Sequence, residues 1–271
     1  MRRVIGFLLL CCLAVALPRF AHADDAVPCN DAILKSLGDY IGAAHFVRPT
    51  QDGRVSGLVV QDTCKVWPGD PGITLAVVAY TDHPVKVDDI DSWEEVVAMV
   101  DTHTAKIVAA IKGGGGQIDA ATALGGYTLD TAPYQLAPDV RAFGVISHND
   151  KPGPNCADGG SYSELTLWVR DKNQLRSVFS APLDEWTTIE GSPCATSEPG
   201  RIDDARMTIA IEKTQTQGFA DLSLIAHVTP NIWAADGTHR QGALRINRVV
   251  FKYDGKSYGF GPSAFWWSSE K

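Results

Sequence analysis

Apolar and polar residues alternate with a period of two along much of the chain, the pattern of half-buried strands. "RMTIAIE" puts Met207, Ile209 and Ile211 on one face, and "DLSLIAHV" does the same with Leu222, Leu224, Ala226 and Val228. "RVVFKYDGKSYGF" aligns Val249, Phe251 and Tyr253 ahead of Asp254-Gly255, a hairpin-turn pair. "LTLWVRDKNQLRSVFS" reads as two strands around Asp171-Lys172-Asn173, and "TLAVVAY" and "RAFGVIS" as single strands. "WPGDPG", Trp67 to Gly72, is a turn cluster. One segment keeps a different period. In "DAILKSLGDYIGAA", residues 31–44, Ile33, Leu34, Leu37, Tyr40 and Ile41 share a helical face behind Asn30, a capping residue.

A second segment supports both periods. "SWEEVVAMVDTHTAKIVAAIKGGGG" runs from Ser92 to Gly116. Ser92 with Glu95 makes a capping box, and glycines stand at the far end, as for a helix. Its apolar positions are mostly β-branched, however, and lose side-chain freedom in a helix. Asp101 to Thr104 would place short polar side chains in mid-helix, where they compete for backbone bonds. The hairpin is the preferred reading, with strands Val96 to Val100 and Lys106 to Ile111, and Gly113 to Gly116 as a loose loop.

Together these elements predict an all-β chain of roughly a dozen strands in antiparallel hairpins, propeller-like or a sandwich, with a short N-terminal helix. A helical Ser92–Gly116 would turn this into an α+β fold. No repeat or linker divides the chain, so residues 24–271 form one β-rich domain.

The N-terminus changes the cellular picture. Arg2 and Arg3 precede an apolar run, Val4 to Leu17, and Ala21-His22-Ala23 is a small-x-small site. This is the layout of a signal peptide, residues 1–23, cleaved after Ala23. The product is then periplasmic or secreted. Cleavage takes away three arginines and no acid, so 24 basic and 32 acidic residues become 21 and 32, a formal charge of −11. Such a surface does not attract nucleic acid, and no other segment is apolar enough to span a membrane. Four of six cysteines remain: Cys29, Cys64, Cys156 and Cys194. An even number in an exported chain reads as disulfides. Three pairings exist; Cys29–Cys64 with Cys156–Cys194 is favoured because each closes a local loop. No cysteine has the spacing or neighbouring histidine of a zinc site.

"CKVWP" (64–68), "VDTHTAKIV" (100–108), "LDTAPYQLAPDVRAFGV" (129–145) and "GFADLSL" followed by "FKYDGKSY" resemble a group of exported β-rich proteins of Gram-negative bacteria with no established activity. The same strand-turn-strand units are faintly similar to integrin-α-type propeller blades. That likeness implies a calcium loop of the form D-x-D-x-D-G, where this chain has only Phe219-Ala220-Asp221. No catalytic residue is carried over.

Candidate chemistry is sparse. The histidines left after cleavage form no H-x-x-x-H or HExxH, and His103 falls in a turn. "SHND", Ser147 to Asp150, sets hydroxyl, imidazole and carboxylate in adjacent positions, which rarely face one another; it reads as a polar loop. "GGSYS", Gly159 to Ser163, lacks the second glycine of a nucleophile elbow and reads as a loop. "KGGGGQ" lacks the G-K-S/T of a phosphate loop. "VDDIDSWEE" carries Asp88, Asp89, Asp91, Glu94 and Glu95 but no EF-hand glycine, so it reads as a solvated acidic loop. Paired carboxylates for glycoside hydrolysis leave no mark in sequence. The tail holds Phe265, Trp266 and Trp267, candidates for stacking on a sugar or anchoring an interface.

With no catalytic constellation, metal site or cofactor motif, the chain reads as a non-catalytic binding or interaction module of the cell envelope. Its partner would be an envelope protein or a glycan. The alternatives are an envelope hydrolase acting on a glycan or ester, and a structural envelope component.

Overall fold

The computed structural model describes residues 26–42, 46–48, 57–151, 153, 156–194, 198–259 and 261–268. The expected signal peptide, His45 and the last residues of the expected helix lie outside these. Helix α1 spans Asp31–Ile41. Asn30 caps it by accepting from the Ile33 N–H at 2.9 Å. Gly42, at φ 74°, ends it in a left-handed turn.

Twelve strands follow in one nearly closed, barrel-like sheet. They are β1 (Val59–Trp67), β2 (Asp70–Tyr80), β3 (Ser92–Asp101), β4 (Ile107–Gln117), β5 (Leu124–Ala137), β6 (Val140–Asn149), β7 (Gly159–Asp171), β8 (Gln174–Glu190), β9 (Gly200–Thr216), β10 (Phe219–Trp233), β11 (His239–Gln241) and β12 (Arg245–Phe251). The all-β fold with one short N-terminal helix is therefore as the residue pattern predicts. The strands make a single hydrogen-bonded path, β1-β2-β3-β4-β8-β7-β6-β5, with β9, β10, β11 and β12 continuing from β8. The path closes where β1 meets β5: the Thr63 hydroxyl donates to the Tyr127 carbonyl, and Lys65 Nζ to the Leu129 carbonyl.

The ambiguous segment is a hairpin, with Val97 opposite Ile111 and Ala98 opposite Ala110. Its turn is held by Asp101, whose Oδ1 accepts from the Thr104 N–H (2.8 Å), the Thr104 hydroxyl (2.7 Å) and the His103 N–H (3.1 Å). The capping box at Ser92 is thus overridden by cross-strand packing. One expectation fails here. Gly113 to Gly116 is not a loose loop but the end of β4, paired to β3 through Gly115–Glu94 and Gly116–Trp93. "SHND" and "GGSYS" are likewise strand rather than loop, apart from Asp150: they fall at the end of β6 and the start of β7. The Asp254-Gly255 turn opens no hairpin. The chain after it bonds to β8 instead, Tyr258 N–H to the Val178 carbonyl at 2.7 Å.

Three apolar layers explain this arrangement. Leu75, Val77, Val97, Met99, Leu129, Phe143, Val145, Trp168 and Leu175 fill the barrel interior between β1–β4 and β5–β8. The opposite faces of β2 and β3 (Ala76, Val78, Val96, Ala98) are covered by Ile33, Leu34 and Leu37 of α1. The outer face of β5–β8 (Leu136, Leu165, Leu167, Phe179) is covered by β9, β10 and the tail. β2 and β3 are buried on both faces, which is why "TLAVVAY" and "VVAMV" are continuously apolar rather than alternating.

Both disulfides have the favoured pairing. Cys29–Cys64 (Cα–Cα 4.9 Å) fastens α1 to β1, and Cys156–Cys194 (5.1 Å) joins the approaches to β7 and β9.

Candidate functional site

The inward positions of the barrel change character along its axis. On β3 they run Met99, Val97, Glu95; on β6 Phe143, Val145, Ser147; on β7 Trp168, Thr166, Glu164; on β8 Leu175, Ser177. One end is an apolar core. The other is polar and opens as a cleft of about 620 Å³. Barrel mouths are a recurrent place for small ligands.

Strand divergence makes the opening. β4 and β8 are parallel and share a single register pair, Ala110 with Gln174. Beyond it β4 stays with β3 and β8 with β7, so a wedge parts them. Gly113, Gly114 and Gly115 line that wedge. They include a bulge: between the pairs Glu94–Gly115 and Val96–Lys112, Gly113 and Gly114 both stand opposite Glu95. Bulges of this kind re-aim a side chain beside a site. A Cβ added to Gly114 would lie 3.3 Å from Glu95 Oε1. The missing side chains therefore leave the Glu95 carboxyl reachable from the cleft.

Glu95 is half-buried. Burial pushes its carboxyl above the usual carboxylate range; a hydrogen bond from the Tyr127 hydroxyl offsets part of this, and the charge of Glu164 adds to it. Tyr127 in turn accepts from the Trp93 indole, and burial moves its own hydroxyl strongly upward. Trp93, Tyr127 and Glu95 are thus a chain of hydrogen bonds ending at the cleft. Glu164 has different surroundings: its Oε1 accepts from the Ser180 hydroxyl at 2.5 Å, and Ser180 contacts Thr166 Oγ1 at 3.0 Å. Below them Trp168, 8% exposed, has a ring N–H with no partner among the described residues. An unpaired buried donor costs about 1–3 kcal/mol, so such groups are exceptions that call for an explanation.

A second cleft, about 660 Å³, is lined by Asp184, Glu185, Asp204, Arg206 and His227. Its acids are committed to the scaffold. Asp184 accepts from Ser163 (2.6 Å), Glu185 from the Trp267 indole (2.7 Å), and Asp204 from Asn231. Asp203 is enclosed by Arg201 and Arg245 and ties β9 to β12. Among the described residues no group of three His, Cys, Asp or Glu side chains is arranged to hold a metal ion.

The tail aromatics lie at this second region. Trp267 has no exposed surface and is pinned by Glu185. Phe265 is half-buried and edge-on to Trp267 at 6.3 Å; Trp266 is half-buried against the same core. They close the outer layer of the barrel, and Trp267 has no face left for a ligand. Of the acidic run Asp88 to Glu95, only Glu95 reaches the cleft. Glu164 and Trp168 gave no sequence signal beyond strand alternation. The one available hint was the glycine run. His103 is exposed in its turn, and His148 Nε2 bonds Thr128 Oγ1 at 2.9 Å, so neither joins the site.

No helix among the described residues is long and apolar enough to cross a membrane. The chain matches no protein-family model, no curated protein and no solved structure.

Proposed function

We propose that the protein is a periplasmic or secreted glycan-binding protein whose binding site is the mouth of the barrel. The supporting observation is the chemistry of the cleft. Hydroxyls of Ser147, Thr166, Ser177 and Ser180, the Glu164 carboxylate and glycine backbone surround the exposed edge of an aromatic floor. A sugar presents many hydroxyls on an apolar ring face, and this lining offers donors, acceptors and a ring in one cavity. Two disulfides fit an oxidising compartment. Calorimetric titration with chito-, cello-, xylo- and malto-oligosaccharides tests the reading. One series binds, and Ser177→Ala, which removes one hydroxyl from the lining, weakens it about 5- to 10-fold, the value of one hydrogen bond. Absence of binding across the panel, or equal binding by Ser177→Ala, refutes it.

A further inference from the structure

We propose that the cleft hydrolyses the glycan it binds, with Glu95 as proton donor to the glycosidic oxygen and Glu164 as base for the attacking water. This rests on the glycan reading above. Two geometric observations carry it. Two carboxyl groups line one cleft from the two sides of the β4–β8 wedge, Glu95 on β3 and Glu164 on β7. At the bulge, Gly114 has no side chain to cover Glu95, whose Oε1 would lie only 3.3 Å from a Cβ there.

The two carboxyls have the unequal surroundings that acid–base hydrolysis needs. Glu95 is shielded by the barrel wall, which favours a held proton, and the hydrogen bond from Tyr127 works against part of that effect. Glu164 is exposed to the cleft and accepts from the Ser180 hydroxyl, which orients it. In the reaction, a water oxygen attacks the anomeric carbon and gives one proton to Glu164. The bond from that carbon to the leaving oxygen breaks, and the leaving oxygen takes the Glu95 proton. Solvent then returns the proton from Glu164 to Glu95. No oxidant or cofactor is needed. Tyr127 is a positioning residue: it touches Glu95 and not the reacting atoms.

The test uses the oligosaccharide panel and reads two quantities for each sugar, binding by calorimetry and release of new reducing ends. The wild type is expected to release reducing ends from the series it binds. Glu95→Gln and Glu164→Gln are each expected to lose about 100-fold or more in turnover, with Glu95→Gln still binding within a few-fold of wild type. Tyr127→Phe removes a hydrogen bond that favours ionised Glu95, so the high-pH limb of kcat/KM moves to higher pH. A purely structural Tyr127 would leave that limb in place. Binding without reducing-end release overturns the hydrolysis and leaves the binding reading standing. Neither binding nor release overturns both. Turnover by Glu95→Gln at the wild-type rate overturns the assigned roles, and the Tyr127→Phe profile decides the matter if Glu95→Gln does not fold.

Discussion

Replacing Gly115 by alanine tests whether the glycine run is a built part of β4. Gly113 and Gly115 both have left-handed backbone, φ 141° and 106°. Their surroundings differ. A Cβ on Gly115 would lie 2.1 Å from the Trp93 carbonyl oxygen and 3.0 Å from Glu94 Cα. Both are backbone atoms of the paired strand and cannot swing aside. A Cβ on Gly113 has open space. Gly113→Ala therefore meets only the conformational penalty, about 1–3 kcal/mol. Gly115→Ala meets that penalty plus the separation of β3 from β4, about 1–3 kcal/mol more. At about 2–4 °C per kcal/mol, Gly115→Ala should melt about 2–12 °C below Gly113→Ala. Thermal unfolding of the disulfide-intact protein at one pH measures this. Equal melting temperatures for the two variants, or no change in either, would show a loop free to absorb a side chain and refute the reasoning.

Three further outcomes follow from the same geometry. The raised carboxyl of Glu95 means that the folded state holds its proton at pH values where the unfolded chain has lost it. Stability from this group is thus greatest below the ordinary value of 4.5 and is lost as pH rises through the higher folded value; Glu95→Gln should flatten melting temperature against pH just above 4.5 and melt higher than wild type near pH 7. Trp267→Ala should cost about 3–5 kcal/mol in denaturant unfolding, and Trp267→Phe about 1–3 kcal/mol because Glu185 loses its donor; a near-neutral Trp267→Ala would contradict its place in the core. Cys156 and Cys194 are exposed, whereas Cys29 and Cys64 are buried, so mild reductant followed by alkylation and mass spectrometry should label the Cys156–Cys194 pair first.

Strand identity was legible wherever one face is buried and the other wet. Met207, Leu222, Leu224 and Val228 alternate in sequence and point into one core. The Ser92–Gly116 hairpin was legible from its β-branched residues despite a capping box, because β-branching is a property of each residue and a cap is satisfied only if a helix forms. The disulfide pairing followed from loop closure. The glycine run misled. A stretch without side chains looks unstructured in sequence, yet here Gly115 and Gly116 are what let β4 pass close against Trp93.

What the sequence determined by itself was local: the helix and its cap, the strands, the turns at Asp101 and Lys172, and an apolar content large enough for stacked layers. Each depends on residues within one segment. The tertiary structure alone decided the rest. Glu95 is one of five acids in a short acidic run, and only the barrel makes it the one that lines the cleft. Glu164 is an ordinary polar position on an alternating strand until β6, β8 and the bulge of β4 converge around it. Trp267 stands in an apparently exposed tail until Glu185, 82 positions away, receives its N–H. Burial and charge proximity are sums over distant segments, so the chemistry they produce has no local pattern to read.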